Sequence, residues 1–183
     1  MRSATRALAW LGAAAIALAP LAGGGVAVQM AEHVALWDLL PIAVLVLGVP
    51  WIRVHPVAAL ALWFACLAAW HAPPAFDAAV RHDGLHVLQH ACFFLVGLTM
   101  WVPALRSSLA LPLRLAYVLA MQLGGLVLAN VLLWSSALYD RYRVGDQRVA
   151  GGILLLEGSA LLIAVFAWLF LKLASEPDVP EPT

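Results

Sequence analysis

Apolar positions along this chain run in long blocks, with none of the alternation of a half-buried strand or the stripe of a soluble amphipathic helix. The blocks fall at Thr5–Leu21, Ala27–Leu47, Val57–His71, Leu85–Leu105, Leu111–Leu138 and Val149–Leu173. A bilayer core of about 30 Å takes roughly 20 helical residues to cross, so each block predicts a membrane span. Gly23-Gly24-Gly25, Pro50 with Pro56, Pro73-Pro74, Pro103 with Pro112, and the polar run Tyr139–Arg148 punctuate them. The predicted fold is an all-α polytopic transmembrane helix bundle of about six helices. Arg2 and Arg6 ahead of the first block, and the small residues after it, also fit a cleaved signal segment, which would leave five. A retained helix is the expectation, because the block leads almost directly into the next span. The chain thus divides into an N-terminal helix or signal segment (1–26), a helical bundle (27–174) and a Pro- and Glu-rich cytoplasmic tail expected to be disordered (175–183).

Composition strengthens this picture. Of 183 residues, 64% are hydrophobic and 11% charged, against about 25% charged in soluble domains. Ten basic and ten acidic residues balance to zero net charge, which excludes the basic surface of a nucleic-acid binder. No Ser-His-Asp arrangement, P-loop or dinucleotide fingerprint is present, so no enzymatic activity is expected. Cys66 and Cys92 stand at no ligand spacing and read as packing residues. With the N-terminus inside, Arg2, Arg6, Arg53, Arg106, Arg114 and Lys172 are cytoplasmic, and Arg81, Arg141, Arg143 and Arg148 lie outside. That excess of inner cations sets the expected orientation, with Arg106 and the C-terminus facing the cytoplasm.

The histidines then gather. His33 falls in the outer third of the second span and His71 at the outer end of the third. His82, His86 and His90 lie at the start of the fourth, leaving only His55 on the other side. His86 and His90 are four apart and project from one helix face. Imidazole clusters suit copper, zinc, iron or nickel, and Met30, one turn before His33, offers a thioether. The expectation is one composite site of His33, His71, His86 and His90, the rings converging to about 4 Å between nitrogens. Met30 is a possible further ligand, and Asp77, Asp83 and Gln89 are candidates to orient the rings. The alternative is that the histidines are interfacial and bond water or headgroups. Asp38 and Glu157 fall inside spans, where a charge is costly, and read either as a relay or as bundle hydrogen bonds. Gln122 and Asn130 read as hydrogen bonds between helices.

Several segments resemble one family. Trp70-His71-Ala72-Pro73-Pro74-Ala75-Phe76-Asp77-Ala78-Ala79 is similar to a W-H-x-P-x-x-[YF]-D-A-A signature. Leu85-His86-Val87-Leu88-Gln89-His90 is similar to L-H-x-L-[EQ]-H, followed by Phe94, Gly97, Trp101 and Pro103; Asp146-Gln147-Arg148-Val149-Ala150-Gly151 is similar to D-Q-x-x-A-G. These resemble the CtaG-type cytochrome c oxidase assembly factors of bacteria, and Met30–Pro50 resembles their H-M-x-x-H helix and the proline-bearing segment after it. The chain departs from the pattern at Gln29, where the first histidine of that helix stands, at Gln89, usually acidic, and at Leu154-Leu155, often Met-Trp. The resemblance implies a membrane factor of the bacterial cytoplasmic (inner) membrane, partnered with cytochrome c oxidase subunits or other assembly factors and with lipid. It also implies copper as the metal, handled by the histidine cluster on the periplasmic side. Two other readings stand beside it: a bis-His haem b cytochrome, and a cofactor-free structural accessory subunit.

Overall fold

The computed structural model describes Trp10 and residues 24–47, 53–106 and 109–174. The first predicted span, apart from Trp10, and the C-terminal tail lie outside the described residues. The described chain is helical: α1 Val26–Val46, α2 Pro56–His71, α3 Pro73–Arg81, α4 Asp83–Arg106, α5 Leu111–Trp134 and α6 Val144–Ala174. Four of these (α1, α4, α5 and α6) are long and apolar enough to cross a membrane, and α2 with α3 forms a further span bent by 68°. A polytopic helical bundle is what the apolar blocks predict. α3 is the element they do not show. Pro73 forces Ala72 out of the helical region (φ −59°, ψ 130°), which ends α2 and starts α3 at a new angle.

α1 is not regular. Ala35–Leu39 form a π-helical turn, with Leu40 N–H reaching back to Ala35 O. Pro41 supplies the local cause, since it has no N–H to offer the Trp37 carbonyl. That carbonyl packs against Gly97 of α4, where a Cβ would stand 2.4 Å from Trp37 O and 2.7 Å from Trp37 Cα. A glycine is therefore required at 97 for the two backbones to meet. The same turn presents Asp38, which accepts a 2.7 Å hydrogen bond from Trp101 Nε1. Glu157 of α6 also reaches Asp38. Gly97 and Trp101, both in the motif after the paired histidines, thus hold α1 against α4.

The D-Q motif clamps one end of the bundle. Asp146 Oδ2 accepts from Val26 N–H at 2.5 Å, satisfying one of the N–H groups at the start of α1 that have no partner within the helix. Gln147 ties the α5–α6 loop: its Oε1 accepts from Leu138 N–H (2.8 Å), and its Nε2 donates to Leu132 O (3.0 Å). Ala150 is fully buried, and Gly151 lies where a Cβ would meet Ala129 O at 2.8 Å. Tyr117 OH donates to Met100 O and Trp63 Nε1 to Met121 O, so the aromatic core of α2, α4 and α5 is also tied by polar bonds. Asn130 bonds Leu126 O of its own helix at 2.8 Å and lies exposed, so it does not make the interhelical bond expected of it. Large apolar side chains of α6 such as Leu156, Ile163 and Phe170 face outward, as lipid-facing residues do.

Candidate metal centre at the clamped end

The clamped end carries the imidazoles. The start of α1, the end of α2, the start of α4 and the α5–α6 loop meet there. His86 and His90 lie on one face of α4, their ring centres 4.4 Å apart. Glu32 of α1 completes a group with them: one ligand atom from each of Glu32, His86 and His90 lies within 4.8 Å of the others. His90 Nε2 is 3.8 Å from Glu32 Oε2. His90 is buried, while Glu32 and His86 are partly open. Two imidazoles and a carboxylate suit borderline divalent ions and copper.

His33 and His71 lie deeper and on the other side of His90. His33 is fully buried, its ring centre 5.5 Å from that of His90 and 5.3 Å from that of His71. The rings of Phe93 (4.5 Å) and Trp37 (5.9 Å) enclose it. Neither nitrogen of His33 makes a hydrogen bond of good geometry, although the Gln89 amide lies alongside. His71 is oriented from its own helix. Its Nδ1 lies 2.9 Å from Leu67 O. A carbonyl only accepts, so Nδ1 carries the hydrogen and the neutral ring keeps its lone pair on Nε2, which has no hydrogen-bond partner. Ring contacts link the four imidazoles in the order His86, His90, His33, His71, a row of successive neighbours. Among the described residues, the group with mutual ligand reach contains Glu32 in place of His33 and His71.

The remaining predicted residues take other places. Met30 is fully buried in the core. Asp83 is exposed and close enough to act electrostatically on His86. Gln89 is fully buried, and its Nε2 reaches Trp70 O at 3.5 Å. Asp77 is buried beside Tyr139 and Tyr142. Tyr139 stacks on Phe76 at 4.1 Å, and its hydroxyl donates to His71 O (3.2 Å). Burial pushes the Tyr139 phenol above its ordinary range, with Asp77 adding to the effect, so it stays a donor. Gln29, which stands where a histidine was expected, donates to Tyr142 OH at 2.7 Å and serves the clamp. Asp38 and Glu157 lie together beyond Trp37, apart from the imidazole row.

Glu32 is the residue that sequence reasoning missed. Its signal was available: a carboxylate in the outer third of a span is expensive and needs a partner. Glu32 neighbours His33 in sequence, but one helical residue is about 100° of rotation. His33 therefore faces the core while Glu32 faces the flank of α4.

No curated protein and no solved structure matches this chain. One family does, over residues 50–176, which takes in α2 to α6 and with them His71, His86, His90, Gly97, Trp101 and the Asp146-Gln147 clamp. α1, with Glu32 and His33, lies upstream of the matched residues. The match covers more than half of the chain: this protein belongs to the cytochrome c oxidase caa3 assembly factor family.

Proposed function

We propose that the protein is a non-enzymatic factor of the bacterial inner membrane that takes up copper at Glu32, His86 and His90 and supplies it during oxidase assembly. The observation that carries this reading is the mutual approach of those three side chains at the clamped end of the bundle. Copper is cargo here, so a half-open site of three donors is well suited, because it can both bind the ion and release it. His86 Nε2 is buried and makes no hydrogen bond to the described residues, which leaves a nitrogen available as a ligand. The surplus of Lys and Arg at the opposite ends of the spans favours the periplasmic side for the cluster, the side from which copper would arrive.

The haem alternative fits less well. A macrocycle needs a flat slot between two histidines, and the rings of Trp37, Phe76 and Phe93 fill the surroundings of His33 within 6.4 Å. An interfacial role does not suit His33 or His71 either, since both are buried.

The test is metal content and oxidase yield together. Purified protein carrying His86→Ala and His90→Ala should lose copper affinity at least ten-fold, and cells carrying it should assemble oxidase lacking copper. Unchanged copper binding in the double variant would sink the site; full oxidase maturation without it would sink the role.

A further inference from the structure

Resting on that reading, we propose that the imidazole row is a two-station track for Cu(I): Glu32–His86–His90 at the outer station and the His33–His71 pair at the inner one. The ring spacing of the inner pair is compatible with two ligands on one ion. With metal–nitrogen bonds of about 2 Å, two imidazoles on one ion hold their ring centres roughly 5–6 Å apart. His33 and His71 stand 5.3 Å apart, and His33 and His90 5.5 Å. An ion therefore passes along the row by ligand exchange, each new copper–nitrogen bond forming as an old one breaks. The ion keeps its charge and oxidation state throughout, and the Glu32 carboxylate is left behind at the first step.

Three further features support an inner station. His71 Nε2 and both nitrogens of His33 are buried and lack hydrogen bonds of good geometry, whereas buried polar groups are ordinarily bonded. The Leu67 carbonyl fixes the His71 tautomer so that Nε2 presents the lone pair, the usual arrangement behind a metal-bound histidine. Burial also separates the inner members from the partly open His86, since His90, His33 and His71 are 1%, 0% and 5% exposed.

Ion choice follows from the surroundings. The inner pair is neutral and walled by Trp37, Phe76 and Phe93. In a dry pocket the cost of a charge grows with its square, so a monovalent ion is favoured over a divalent one. Aromatic faces add attraction for a cation without adding a counter-charge. The outer station, with its carboxylate, tolerates either. His71 also lines a cavity of about 410 Å³ between α2 and α5, edged by the outward-facing Leu123, Val127 and Val131.

The experiment is an anaerobic titration of the full chain in detergent micelles with Cu(I) against a competing chelator, with X-ray absorption of each loaded form. The native protein should take two equivalents, the second more weakly. His33→Leu and His71→Gln should each take one, with a carboxylate oxygen and nitrogens around the copper. Glu32→Gln with His86→Ala should also take one, held by nitrogen alone. Zn(II) should load only the outer station. If His33→Leu and His71→Gln both bind two equivalents as the native chain does, or if the native chain binds only one, the inner station is wrong while the outer site stands. If the native chain binds no Cu(I), the proposed function fails with it. Melting curves for each variant identify a misfolded one, and the two inner-station variants serve as checks on each other.

Discussion

Two sets of buried polar groups lie within one end of this bundle, and they are treated in opposite ways. Gln147 is 2% exposed, and its amide is used throughout: the oxygen accepts from Leu138 N–H, and the nitrogen lies within reach of Leu132 O, Ser135 Oγ and Ser136 O. His33 is as deeply buried, yet its nitrogens make no bond of good geometry. A buried amide that bonds four ways stabilises the fold. A buried imidazole whose N–H and lone pair lack well-formed hydrogen bonds lowers stability, so its presence needs another reason. The contrast separates the groups that build the end of the bundle from those that work there.

Substitutions at three positions sharpen or break that contrast. Gln147→Ala has the largest expected effect. It strips partners from the Leu138 N–H and the loop carbonyls, and should cost about 3 kcal/mol in mixed-micelle unfolding. A loss under about 1 kcal/mol would mean that water replaces the amide and that the clamp is not structural. Asp38 comes next. Asp38→Ala leaves the buried Trp101 N–H without its acceptor and should cost about 2 kcal/mol, while Asp38→Asn keeps an acceptor oxygen and should stay within about 1 kcal/mol of the native protein. The Asn variant should still mature oxidase. Normal folding with failed maturation would move Asp38 from the structural set to the working one. The smallest stability change belongs to His33→Leu, an apolar side chain in an aromatic cage, which should leave stability unchanged or raise it by about 1 kcal/mol. Oxidase maturation should nonetheless fail. A clear loss of stability would instead make the ring a packing element, and would erase the distinction between the two sets.

Length and hydropathy are local properties, so the sequence alone determined the class of the molecule, the positions of α1, α2, α4, α5 and α6 to within a few residues, and the breaks at proline. It also determined that His33, His71, His86 and His90 belong to one end, because span parity follows from counting helices. Which side chains meet within that end depends on the rotation of each helix about its axis, and no single span contains that information. Rotation is set by contacts far apart in sequence: the Gly97 notch against the π-turn of α1, and the Asp146 carboxylate on Val26 N–H. Those contacts turn Glu32 toward His86 and His90 and direct His33 inward to His71. α3 was invisible for a related reason, since its nine residues carry no membrane-length apolar block. Only the bend at Ala72 and the packing of Phe76 against Tyr139 place it over the site. The ligand types were thus legible in the chain, and tertiary packing decided that they form a row with a carboxylate at its outer end.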